Sequence, residues 1–383
     1  MPDKYQLYIY DISYFSGKVE AYLRYKQIDF ERIEPTWNDM VDLVLPNTGL
    51  MKVPVIQTPD GKWLQDSTPI IEWFEKQHHQ HAVLPEDEVV AFYCRLLEDY
   101  ADEYLWRPAL YYRWKFDLDA ELYSHRFSEE FLSSLPFPRE FTRWLSKERQ
   151  RRIYIEGDGI DEDTCLHVES IYFSTLERLS AILEKQPFLL GDKPCMADFG
   201  FFASMFRHFS IDPTPGKIMR QHAPAVYEWV ARLWNAKGEK LSKKKFKIKK
   251  GSIPEGWQEL LADMGQAYMP YLHANALAYQ AGRENFNVEI QGYLYQKLPV
   301  VKYRVWCRER LFQLYEGLSK PAREQVNNDF VSTQIDDLFW QYGQIESQMH
   351  EGVEPPFAKQ ADINPIDKMV YYLTGTHWKG AHE

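Results

Sequence analysis

Residues 51–75, MKVPVIQTPDGKWLQDSTPIIEWFE, decide the fold. Residues 53–58 (VPVIQT) read as a strand that opens on Pro54, a position proline tolerates when its missing N–H faces away from the ladder. Pro59-Asp60-Gly61 makes a turn, and residues 62–65 (KWLQ) return as the hairpin partner. Asp66-Ser67-Thr68-Pro69 then opens a helix reaching Gln77. Ser67 or Thr68 can cap it, and Pro69 suits its first turn. Upstream, residues 5–10 (YQLYIY) are rich in residues that favour strands. Residues 13–27 place Val19, Tyr22, Leu23 and Tyr25 near one helical face, and residues 29–33 (DFERI) form a second strand stopped by Pro35. The order of the first 82 residues is β-α-β, an irregular stretch, then β-β-α, which predicts a thioredoxin-like α/β domain.

From Glu86 onward the pattern is helical and strand signals are weak. Residues 89–114 run as a long helical stretch with Pro108 as a kink or break. Residues 117–165 are charged, carry Pro136, Pro138 and the GDGID of 157–161, and read as an inserted helical excursion. Helices follow over 169–183, 197–209 and 224–235, the middle one (ADFGFFASMFRHF) apolar enough to require burial. The predicted division is therefore 1–82, an all-helical domain over 86–236, a Lys-rich linker over 237–254, and an additional helical region over 255–383. Within the last, helices are expected at 257–282, 301–319 and 330–349.

Composition limits the function. The 383 residues are 45% hydrophobic and 15% aromatic, enough for a large core, so a disordered chain is excluded. No apolar run approaches the length of a membrane span, and the N-terminus lacks a signal-peptide core. Four cysteines without a zinc or CxxC spacing fit a reducing cytoplasm, and no metal is expected. The net charge of −11 argues against a nucleic-acid partner, although residues 237–250 hold eight Lys against one Glu. That run reads as a solvated linker.

The chemistry concentrates around residues 51–67. A cis Val53–Pro54 bond would turn the Val53 backbone toward an extended, peptide-like ligand. Ser67, at the mouth of a helix, can hold a carboxylate with its hydroxyl, its N–H and the positive end of the helix dipole. Asp66 can receive an ammonium group. Backbone pairing, an anion hole and a carboxylate together complement a γ-glutamyl tripeptide.

With the stretches SYFSGKVEAYLRYKQIDFERI, KVPVIQTPDGKWLQDSTPII and FLLGDKPCMADFGFF, the sequence resembles the glutathione S-transferase family. The resemblance covers roughly 1–115 and 165–235, and implies a thioredoxin-like domain followed by an all-helical C-terminal domain, here with a helical extension. In FLLGDKPCMADFGFF, Asp198 would reach back to the start of a buried helix, with Cys195 where a Ser or Thr cap is usual. The resemblance implies glutathione as co-substrate, its thiolate attacking a hydrophobic electrophile in detoxification-type chemistry, and a homodimer. It implies an activating residue just after the first strand. Ser13 stands five positions before the basic Lys18 and six before Val19, as in Ser-type members; Tyr14, followed by Phe15, is the Tyr-type alternative. No cysteine is available for Cys-type chemistry. Lys52 and Trp37 are further candidate glutathione contacts, with an exposed lysine and core packing as their ordinary readings. Tyr100, Tyr104, Arg107 and Tyr111 lie where the family binds its second substrate, although aromatic residues at helical spacing more often form core. A non-catalytic binding protein on the same fold, and a glutathione-dependent lyase, dehalogenase or peroxidase, are the alternative functions.

Overall fold

The structure is a computed structural model that describes residues 3–332, 343–349 and 353–360. Four strands form the N-terminal sheet in the order β2-β1-β3-β4: β1 (Tyr5–Tyr8), β2 (Phe30–Ile33), β3 (Val55–Gln57) and β4 (Trp63–Gln65). The β1–β2 pair is parallel, and β3 runs antiparallel to both β1 and β4. Helix α1 (Tyr14–Lys26) makes the crossover, and Ser13 is its N-cap. The irregular stretch winds through α2 (Trp37–Asp39) and α3 (Leu45–Thr48), and α4 (Ser67–Gln77) follows the hairpin. This is the thioredoxin-like order expected from the sequence.

The helical domain begins with α5 (Glu88–Glu103) and α6 (Trp106–Lys115). The long helix expected over 89–114 breaks at Tyr104-Leu105, not at Pro108. Proline in the first turn of α6 sits where the helix has no N–H to lose, so it starts the helix rather than kinking it. The excursion is α7 (Asp117–Glu130) and α8 (Arg139–Arg151), packed on each other and on α6. Next come α9 (Cys165–Leu183), the buried α10 (Met196–Ser204), α11 (Pro213–His222) and α12 (Pro224–Trp234). Asp198 behaves as the sequence suggests. Its carboxylate accepts from the N–H groups of Cys195 (2.9 Å) and Leu189 (3.0 Å) and from the Trp229 indole (2.9 Å).

The Lys-rich segment is tied down at several points. Gly238 N–H donates to Tyr25 O, Lys247 N–H donates to Leu190 O, and Lys193 lies 4.0 Å from the Phe246 ring centre. Beyond it the extension comprises α13 (Trp257–Asp263), α14 (Met269–Gln280), α15 (Lys302–Glu316) and α16 (Lys320–Ser332). It is not purely helical. A hairpin, β5 (Asn285–Ile290) and β6 (Tyr293–Pro299), stands between α14 and α15. Its turn residues Gln291 and Gly292 both have positive φ, 50° and 83°, as a two-residue hairpin turn requires. Phe286, Val288 and Ile290 alternate into the core. Of the helix expected over 330–349, residues 333–342 lie outside the described residues and 343–349 are not helical.

The extension is continuous with the rest of the protein. One buried cluster runs from Leu7 and Ile56 through Phe199 and Trp229 to Leu311 and Phe330. Residues 356–358 lie along the open edge of β4: Gln65 N–H donates to Pro356 O, and Ala358 N–H donates to Trp63 O. The chain's own later residues thus satisfy a sheet edge that would otherwise be free to pair.

Candidate functional site

Sheet register gathers the candidate residues. Tyr8 pairs with Val55, and Val55 pairs with Gln65. The end of β1 that leads to Ser13, the start of β3 preceded by Val53-Pro54, and the end of β4 that leads to Asp66-Ser67 therefore lie at one end of the sheet. The Val53–Pro54 peptide is cis, and the ladder begins two residues beyond Val53, at Val55.

Ser13 is half-buried, and its Oγ accepts from Ser16 N–H at 3.3 Å. That bond occupies a lone pair and leaves the hydroxyl proton free to donate. Tyr14 is placed differently. It is buried, its hydroxyl donates to the Ala101 carbonyl, and its ring packs on Phe15 and His208. Burial, followed by the charge of Asp102, holds the Tyr14 pKa well above its usual value.

Lys18, the basic residue five positions after Ser13, does not reach solvent. Its ammonium contacts Glu98 and Asp102, donates to Thr68 Oγ1 at 2.9 Å and approaches Ser67 Oγ at 3.4 Å. It ties α1 to the N-terminus of α4 and to α5, and sets a positive charge directly behind Ser67. Asp66, at the N-cap of α4, has φ 73° and ψ 122°, an unusual backbone for a residue with a Cβ and of the sort that collects at ligand sites. Burial raises its pKa, opposed by Arg310, by the Tyr303 hydroxyl and by Lys18. Lys52 keeps solvent access while protein crowds it on most sides. Desolvation lowers its pKa, with Glu103 and Asp66 opposing and Arg304 adding to the shift.

The remaining candidates are engaged in packing. Trp37 stacks edge-on against Phe131 at 5.4 Å, and its N–H donates to Phe131 O, so it seats the end of α7. The four residues expected to line a second pocket are packed in the helical core. Tyr100 and Tyr104 stack at 5.6 Å beneath Tyr268 of the extension. Arg107 makes a two-pronged ion pair with Asp158 at 2.8 and 3.1 Å, covered by Tyr271 and Tyr295. Tyr111 donates to Glu169 at 2.8 Å. These aromatic residues are core because the extension brings its own aromatic residues against them. Arg113, on the same helix as Arg107, pairs with Asp212 at 2.8 Å. A cleft of about 780 Å³ lies on the other side of α4, lined by Glu72, Trp73, Trp306 and Arg310 among others, and includes none of the candidate residues. Among the described residues no His, Cys, Asp and Glu group is arranged to hold a metal, and no helix is long and apolar enough to cross a membrane.

Two residues of this region escape a sequence reading. Lys18 is visible only as a spacing, with nothing local to say that it is buried. Tyr303 lies more than two hundred residues from the Asp66 it touches, and no local pattern announces that contact.

Residues 7–82 match the glutathione S-transferase N-terminal domain, and residues 151–236 match the glutathione S-transferase C-terminal domain. No curated protein sequence matches the chain. Among solved structures, it is similar to a glutathione S-transferase from Rhodospirillum rubrum (16% identity, 65% of this chain and 96% of the other, TM-score 0.40). It is also similar to one from Methylobacterium radiotolerans in complex with glutathione sulfonate (20%, 65% and 99%, TM-score 0.39). A third is the beta-etherase LigF from a Sphingobium strain (21%, 63% and 99%, TM-score 0.45). The two matched domains follow one another along the chain, so the protein carries the N- and C-terminal domains of the glutathione S-transferase family.

Proposed function

We propose that the protein binds glutathione at the end of the sheet bounded by Ser13, Val53-Pro54 and Asp66-Ser67, and activates its thiol for attack on a hydrophobic electrophile. The observation that carries this reading is the register Tyr8–Val55–Gln65, which brings three separated segments to one place. In this arrangement Asp66 takes the ligand's ammonium, and Ser67 and the N-terminus of α4, backed by Lys18, take its α-carboxylate. The Val53 backbone pairs with the cysteinyl unit, and Lys52 takes the glycine carboxylate. Ser13 donates its free proton to sulfur. A thiol with an ordinary pKa of about 8.5 is only a few per cent ionised at pH 7, so one hydrogen bond to the anion, worth about one pKa unit, raises the thiolate fraction severalfold. Tyr14, with its hydroxyl on Ala101 O, is the weaker candidate for this role.

Titration calorimetry with glutathione, and thiolate ultraviolet absorbance of the complex, test the reading. Ser13→Ala is expected to retain binding, to raise the bound thiol's pKa by about one unit and to remove most turnover, about tenfold or more. Unchanged turnover in Ser13→Ala would falsify the role of Ser13. A second reading, a binding protein without turnover, is favoured by one observation: the residues expected to wall an electrophile pocket, Tyr100, Tyr104, Arg107 and Tyr111, are buried in the core. Binding without any thiolate band supports it. A glutathione-dependent lyase, dehalogenase or peroxidase would share the thiolate and differ in its substrate profile. A homodimer in the cytoplasm belongs to the same reading; the four free cysteines support the compartment, and sedimentation equilibrium tests the dimer.

A further inference from the structure

Helix α15 crosses the face of the protein that carries Asp66. At one end Arg304 approaches Glu103, the last residue of α5, at 3.5 Å, and two turns on Arg310 pairs with Glu72 of α4 at 2.7 Å. Next to the first of these anchors, Tyr303 turns its hydroxyl onto Asp66, 3.1 Å from one carboxylate oxygen and 3.0 Å from the other. A residue of the extension thus meets the one acidic side chain assigned to the ligand's ammonium, at a position whose backbone is already unusual.

We infer that Tyr303 is a positioning residue of the glutathione site, one that holds the Asp66 carboxylate aimed at the ligand's ammonium and so makes the C-terminal extension a working wall of that site. This inference rests on the proposed glutathione reading. The chemistry is a matter of lone pairs. A carboxylate has about four acceptor sites, and a single hydroxyl shared between its two oxygens occupies the outer edge of the group. The sites that remain are open to an ammonium. Without the hydroxyl, a carboxylate on an unusual backbone is free to rotate toward Lys18, Lys52 or Arg310, each of which acts on it through its charge. The hydroxyl also favours the charged form of an acid whose pKa burial raises.

The test is calorimetry on the full chain with two probes: glutathione, and its analogue lacking the α-amino group, glutaryl-cysteinyl-glycine. Tyr303→Phe is expected to weaken glutathione about three- to tenfold, the worth of one hydrogen bond, and to leave the analogue within about twofold. That selective loss is something a packing defect would not produce. Asp66→Asn is expected to remove the same preference for the amino group, and the double variant to behave as Asp66→Asn alone, since the tyrosine acts only through the aspartate. Equal losses for both probes would reduce Tyr303 to packing and overturn the inference. Tighter glutathione binding in Tyr303→Phe would show that the hydroxyl obstructs the site, and would overturn it as well. If the variant does not fold, the Asp66→Asn comparison still decides, because an unchanged preference there removes the carboxylate that Tyr303 is said to aim. Absence of glutathione binding by the unaltered protein overturns the glutathione reading itself, and the positioning role with it.

Discussion

Lys18 shows how much one side chain can carry once it is buried. Its ammonium has no solvent exposure and stands between Glu98 and Asp102, with Thr68 and Ser67 closing the shell. A buried charge is tolerated only when it is paired and hydrogen-bonded, and this one joins three helices from two domains. The cost of taking it away is the cost of two carboxylates left in an apolar interior. Lys18→Met is expected to lower stability by about 3–5 kcal/mol, read as a fall in the urea midpoint. Burial already raises the Asp102 pKa, with Lys18 the main opposing influence, so removing the lysine leaves that acid more readily protonated. The deficit should therefore narrow as the pH is lowered and Asp102 takes up a proton. An unchanged midpoint at neutral pH would show that the network carries no weight. The sequence displays the Ser13–Lys18 interval but gives no sign of the burial, because what buries Lys18 is α5, eighty residues away.

At the scale of elements, legibility followed locality. The strand-turn-strand-helix run of 53–77 is written in turn residues, a capping position and a two-residue periodicity, all of which act within a few residues. The β5–β6 hairpin was written in the same way, as FNVEIQGYLY, but its strands alternate polar and apolar residues within a region whose neighbours are strongly helical. The Lys-rich run was read as a linker from its charge. What anchors it is a distant backbone, and Gly191 is the point of approach. Its φ is 116°, and a Cβ built there would come within 2.7 Å of the Lys247 nitrogen, which itself donates to Leu190 O. Gly292 in the hairpin turn also has positive φ, 83°, but nothing lies within 4 Å of its would-be Cβ. Gly292→Ala is thus expected to cost about 1 kcal/mol from backbone strain alone. Gly191→Ala should cost about 2 kcal/mol or more, because the Lys-rich segment at Lys247 must also move. Denaturant unfolding of the two variants checks the order; equal losses would mean that the Lys-rich segment is not held at Gly191.

The whole molecule is held together where the extension meets the N-terminal and helical domains, and that seam buries the residues the resemblance assigns to a second pocket. Tyr100 and Tyr104 read as a cavity wall only if nothing follows residue 236. The extension supplies Tyr268 and fills the space. The same seam holds a titrating group. Asp99 of α5 accepts from the Tyr268 hydroxyl at 2.6 Å, and its pKa is raised to about 7, chiefly by burial, with Tyr268 opposing. The unfolded chain should lose this proton near pH 4, as an ordinary aspartic acid does, while the folded protein keeps it until about pH 7. Between those values the folded state binds more protons, so stability falls as the pH rises. The contribution is present in full below about pH 4 and is lost through pH 7. Three pKa units correspond to about 4 kcal/mol. Asp99→Asn has no proton to lose, and at pH 4 it should be no more stable than the unaltered protein. Stabilities measured by denaturant at a series of pH values should then diverge, the variant gaining on the parent by up to about 4 kcal/mol between pH 4 and 8. Parallel curves over that range would show that Asp99 ionises in the folded protein as it does in the unfolded chain, and that the seam between extension and helical domain is open to water.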